Sequence, residues 1–174
     1  MNINSERLNE EQLLLWERIR QFELDDNNDN YTFSSRLAQE NGWSLEYTLY
    51  VIEEYKKFIF LVCIAEHPLT PSDQVDQAWH LHLLYTRSYW IKFCQETLNK
   101  QIHHGPTKGG KSEKDKFEDW YAKTKIFYEL IFNIKCPEEI WPSDEKRFSD
   151  VHFLRVNTKK NWIIKKPKLL SWNF

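Results

Sequence analysis

The chain has 174 residues, 41% hydrophobic and 16% aromatic, with only 4 Gly and 6 Pro. This length fits one domain with a real core, and the aromatic content excludes a disordered chain. The formal net charge of −2 conceals two charged ends, since residues 1–30 carry eight acids against three arginines and residues 146–174 carry eight Lys or Arg against Asp150. Three cysteines, Cys63, Cys94 and Cys136, stand far apart with no CxxC, which predicts reduced thiols and a cytoplasmic protein. The start MNINSERLNEEQ has neither a basic nor an apolar region of a signal peptide. The longest apolar run, from Phe58 to Ala65, falls far short of the roughly 20 residues of a spanning helix.

In chain order, Ser5 and the acids after it predict a helix over 6–23, with Leu8, Leu13, Leu14, Leu15, Ile19 and Phe22 on its apolar face. A polar loop, DDNNDN, follows at 25–30, then a short helix over 33–41 closed by Gly42. Ser44 is a fitting N-cap for a helix to about Ala65. Its first half sets Val51, Tyr55 and Phe58 against a wet side of Glu53, Lys56 and Lys57. Its second half, FIFLVCIA, is apolar all round and therefore buried. Pro68 and Pro71 break the chain, and Ser72 can cap a helix over 73–98, which reads as the centre of a bundle. A further helix is expected from Ser112 to Phe132. Past Pro137, Val151–Val156 and Trp162–Lys165 are β-prone and flank NTKKN, which fits a hairpin or extended arm packed through Phe148, Phe153 and Trp162. The expected fold is mainly α: a single-domain bundle of about five helices with a short C-terminal β-hairpin or extended arm. Within 1–174, residues 1–30 form an acidic helix and loop, 44–132 the core helices and 137–174 a basic arm.

Five of the six histidines lie between 67 and 104. At about 100° per residue, Asp76 and His80 share one helix face, together with Arg87 and Cys94, whereas His80 and His82 point about 200° apart. An undistorted helix therefore offers Asp76 and His80, but not His82, to a common centre. The candidate ligand set is Asp76, His80, His82, His103 and His104, with His67 on the preceding loop, and imidazole with carboxylate suits Zn, Fe or Mn. Without a metal, Asp76 could orient His80 as a catalytic base, with Arg87 attracting an anionic substrate or neutralising Asp76. A purely structural Asp76–His80 hydrogen bond is the competing reading.

Two further strings bear on function. Residues 105–112, GPTKGGKS, spell a phosphate-loop pattern, but a helix and QIHH precede them where a buried strand is required. What remains is weak anion binding through Lys108, Lys111 and the helix N-terminus. The interleaved Lys159, Lys160, Trp162, Lys165 and Lys166 suit phosphate contact with stacking, so nucleic acid or an acidic protein is the expected partner of the arm.

The segments HPLTPS at 67–72, VDQAWHLHLLYTRSYW at 75–90, HHGPTKGG at 103–110, IWP at 140–142 with RF at 147–148, and RVNTKKNWIIKKP at 155–167 resemble the glycine-rich domain-containing protein-like family, in its short bacterial members. The resemblance implies no particular reaction. It carries over only the motif residues Asp76, Trp79, His80, His82, His103 and His104. The sequence leaves open a metal-dependent enzyme of hydrolytic or oxidative type, a binding module and a purely structural protein.

Overall fold

The computed structural model describes residues 3–26, 28–105, 111–149, 156–157 and 159–164, with side chains from 116 onward in the helix that begins at Lys111. Among these residues the protein is helical, without strands. A 3-10 turn at Ser5–Arg7 precedes α1 (Glu10–Gln21), α2 (Phe33–Asn41), α3 (Leu45–Ile64), α4 (Asp73–Leu84), a π-helix (Arg87–Leu98), α5 (Lys111–Phe132) and the short α6 (Asp144–Arg147). No helix among the described residues is long and apolar enough to cross a membrane.

Helix boundaries follow the capping side chains. Asn9, not Ser5, starts α1, because its side chain accepts from the Gln12 amide while the Gln12 side chain returns the bond to the Asn9 amide. Thr32, Ser44 and Ser72 cap α2, α3 and α4 in the same sense. Gly42 ends α2 at φ 67°, a left-handed conformation that a Cβ would disfavour.

The hub of the fold is α3, which packs against α1, α2, α4 and α5; the sequence had pointed instead to the helix after Pro71. Its residues 58–61 are all buried, as an all-round apolar segment requires. Of the wet side expected for its first half only Glu53 is exposed, for Lys56 and Lys57 are buried, and Glu54 with them. Lys57 Nζ lies 2.6 Å from Glu54 Oε1 and donates to the Tyr128 hydroxyl at 2.8 Å, under the rings of Tyr128 and Phe132. The same carboxylate accepts from Tyr128 Oη at 3.1 Å and from Trp141 Nε1 at 2.9 Å. Burial, then the Glu54 charge, pushes the Tyr128 hydroxyl far up, so it remains a donor. One buried ion pair thus joins α3 to α5 and to the chain beyond it. Lys56 reaches the other way, donating to Arg20 O at the C-terminal end of α1.

The expected helix over 73–98 divides in two. Tyr85, with ψ 61°, closes α4, and the backbone resumes as the π-helix. The buried residues explain the change of pitch. Tyr89, Phe93, Cys94 and Leu98 recur at i, i+4, i+5 and i+9. On an α-helix Tyr89 and Leu98 would face opposite sides, about 180° apart. The wider turn of i→i+5 bonding puts all four on one face.

His82 is enclosed where α3, α4 and the π-helix meet. Its Nδ1 lies 2.9 Å from the Tyr55 hydroxyl and its Nε2 3.1 Å from Ser88 Oγ. The rings of Phe22, Phe33, Tyr55, Tyr89 and Phe93 surround it. Burial pushes its pKa down to about 3, so the imidazole is neutral.

The arm departs from expectation. Phe148 packs on Tyr121 and Arg147 Nε donates to Pro71 O. Trp162, however, is 94% exposed rather than packed on the bundle, and no strand occurs among the described residues of the arm. Residues 151–155 and 165, which the hairpin would need, and Phe153 with them, lie outside the described residues.

Two outcomes are expected. Lys57→Met strands the Glu54 carboxylate and should lower unfolding free energy by about 3–5 kcal/mol in a denaturant titration, while Glu54→Gln/Lys57→Met should recover most of the loss. A double variant no more stable than the single one would show that the charge is not what matters. Because His82 is neutral when folded and titrates near pH 6.5 when unfolded, its contribution is complete above that pH. It is lost as pH falls towards about 3, at about 1.4 kcal/mol per pH unit. The stability of His82→Phe should therefore fall less steeply than that of the parent between those limits, and parallel curves would refute the assignment.

Candidate functional site

The site is built by a chain reversal. Ser72 caps α4, and Asp76 and His80 stand one turn apart on its less buried side, with buried Trp79 beside them and buried Val75 and His82 turned to the core. The π-helix leads away and stops at Asn99, in the left-handed conformation with φ 52°. The chain then doubles back, burying Ile102.

Its return is fixed by two hydrogen bonds through one oxygen. Tyr89 Oη donates to Ile102 O at 2.6 Å and accepts from Trp79 Nε1 at 2.9 Å. Burial pushes the Tyr89 hydroxyl far up, so it keeps its proton and donates. Trp79 gives the returning chain a further surface, since the His104 ring lies 4.4 Å from its indole, centroid to centroid.

The outcome is a three-residue cluster. His104 Nε2 lies 2.6 Å from Asp76 Oδ1, His80 Nε2 lies 3.9 Å from Asp76 Oδ2, and the two imidazole rings are 4.6 Å apart. One ligand atom from each residue falls within 4.8 Å of the others. Asp76 and His104 side chains are 17% exposed, whereas His80 is 52% exposed, so the cluster opens to solvent on the His80 side.

The other candidates separate from it. His82 is not a partner of this cluster, because it is locked between Tyr55 and Ser88 on the buried face of α4. His103, next to His104, instead lies 5.3 Å from the Trp90 ring and is exposed. His67 Nδ1 sits 3.1 Å from Pro68 O, beside Phe127. Arg87 does not extend the Asp76 face, since α4 ends before it, and among the described residues it forms no ion pair with Asp76. Nor does Asp76 hydrogen-bond His80: 3.9 Å is too long, and the dyad in place is Asp76–His104. Lys108 and the side chain of Lys111 lie outside the described residues, as do Lys165 and Lys166. The three cysteines are free, and burial pushes Cys63 up to about 11 and Cys136 up to about 12, which disqualifies those two as nucleophiles.

The roles of Trp79 and Tyr89 were not read from the sequence. Trp79 could have been noticed as a polar-tipped aromatic inside a histidine string. For Tyr89 no local signal exists, because its partners are ten residues before and thirteen after it. Tyr89→Phe keeps the ring but leaves Trp79 Nε1 and Ile102 O buried without their partner. A loss of about 1–3 kcal/mol is expected, with faster amide hydrogen exchange in the returning chain around 102–105. Unchanged exchange there would show that the hydroxyl does not hold the chain in place.

No curated protein and no solved structure matches the chain. A family match does exist, over residues 17–147, and it is not to the glycine-rich domain-containing protein-like family that the motifs resembled. It covers most of the chain, including α3, α4, the π-helix and the whole cluster, and corrects that resemblance: the protein belongs to the UCP032817-like family.

Proposed function

We propose that Asp76, His80 and His104 bind one divalent transition-metal ion and that the protein is a metal-dependent enzyme of hydrolytic or oxidative type. The supporting observation is the convergence of one carboxylate and two imidazoles, from a helix and a returning chain, with their donor atoms within 4.8 Å. Two imidazoles and a carboxylate suit Zn, Fe or Mn, and three protein ligands leave positions open for water and substrate. Bonds of about 2.1 Å at tetrahedral angles separate ligand atoms by about 3.4 Å. Asp76 and His104 would move apart by less than an ångström, and the half-exposed His80 would turn inward. His104 would ligate through Nε2, with its proton on Nδ1. Trp79 walls one side of the cluster with an apolar face, and metal sites use such walls to limit water.

The 2.6 Å contact between Asp76 and His104 favours a second reading. Asp76 would accept from Nε2–H and leave Nδ1 of His104 as a metal-free general base.

Calorimetric titration of chelator-treated protein with Zn2+ and Fe2+ separates the two. The metal reading expects saturable binding of one ion per chain, weakened by more than about 100-fold in Asp76→Ala and His104→Ala, beyond the loss typical of an outer-shell change. His103→Ala and His67→Ala should bind as the parent does. No saturable binding by the folded parent, or binding indifferent to Asp76→Ala, removes the metal reading and leaves the dyad.

A further inference from the structure

Among the described residues, one run of uncovered apolar side chains lies outside the cluster. Trp162, Ile163 and Ile164 are consecutive and 94%, 67% and 86% exposed. They follow Lys159 and Lys160, both exposed, on a turn organised by Asn157. Asn157 O accepts from the Lys160 and Asn161 amides, and its Oδ1 accepts from the Lys159 amide. In sequence Lys165, Lys166 and Lys168 come next, then Leu169, Leu170, Trp172 and Phe174, and no acid follows Asp150.

We propose that this basic, apolar segment, Lys159 to Ile164, docks the protein on an anionic lipid surface. Lysines clustered beside exposed Trp and aliphatic residues match the two layers of such a surface. Ammonium groups meet the headgroup charge, while Trp and Ile enter the boundary of the acyl chains. A nucleic acid would satisfy the lysines and stack on Trp162, but bases stack on aromatic faces and have no use for two adjacent isoleucines. The aliphatic pair therefore tips the assignment towards lipid. None of these residues belongs to the Asp76–His80–His104 cluster, so this inference stands or falls independently of the metal reading.

The test uses the full chain with sedimented vesicles of phosphatidylcholine, with and without phosphatidylserine. Partitioning is expected only with phosphatidylserine and should weaken as salt is raised. A lysine near such a surface contributes about fivefold in affinity, so Lys159→Gln/Lys160→Gln should bind about 25-fold more weakly. Trp162→Ser/Ile163→Ser/Ile164→Ser should abolish partitioning without lowering the melting temperature, because the three side chains are exposed. Absence of partitioning, or equal partitioning onto neutral vesicles, overturns the proposal. So does tighter binding to single-stranded RNA that needs the lysines and ignores the isoleucines.

Discussion

The hydroxyl of Tyr89 makes two hydrogen bonds, one to the indole of Trp79 and one to the carbonyl of Ile102. Between them they join α4, the π-helix and the returning chain at one buried oxygen. The position of His104 depends on it, because residues 101–105 form no helix or strand and have no ladder of their own. A short irregular segment would ordinarily fluctuate over several conformations. Buried polar groups left without partners cost more than the same groups left in water, so the Tyr89 bridge penalises every conformation in which Ile102 swings out. The partner that Asp76 meets is thus set by a side chain that does not touch it.

The same logic governs the middle of α3. Glu54 and Lys57 occupy positions that an amphipathic helix would leave wet, and each is stable there only because Tyr128 and Trp141 complete its hydrogen bonding. Such an arrangement tolerates few alternatives in register. Sliding α5 by one residue would remove Tyr128 from both charges. Together with His82, held by Tyr55 and Ser88, these groups form three polar knots inside an aromatic core, each tying α3 or α4 to another element. Aromatic side chains alone pack in many ways, and the knots select among them.

What could be read from the sequence was what depends on near neighbours. Ser44, Ser72 and Gly42 mark helix ends because capping is a matter of three or four residues. The common face of Asp76 and His80, and the divergence of His82, follow from helical geometry. Lys57 was misplaced because charge ordinarily reports a wet face, and its partner Tyr128 is seventy-one positions away. The division at Tyr85 was missed because Tyr89, Trp90, Ile91 and Phe93 are apolar enough to fit an α-helical period, while the buried set obeys a longer one. His103 and His104 were equivalent in sequence, and the tertiary packing of the returning chain, held by the Tyr89–Ile102 bond and laid on Trp79, decides which of them meets Asp76. The expectation that Trp162 packs on the bundle rested on its apolarity, and apolarity alone does not fix what a side chain packs against, for Trp162 stays exposed.

The cluster is unevenly prepared for a ligand. Asp76 and His104 are largely buried, bonded to each other and supported by Trp79, so little rotamer freedom remains to be lost. His80 is half exposed and must be ordered on binding. A metal ion would have to replace the Asp76–His104 hydrogen bond, and its net affinity is lowered by the strength of that bond. It would gain two ligands already held in place, which is the larger advantage of preorganisation. The asymmetry assigns different parts to the two histidines. On the proposed reading His104 would be the fixed wall of the site and His80 the ligand that turns in, on the side open to solvent.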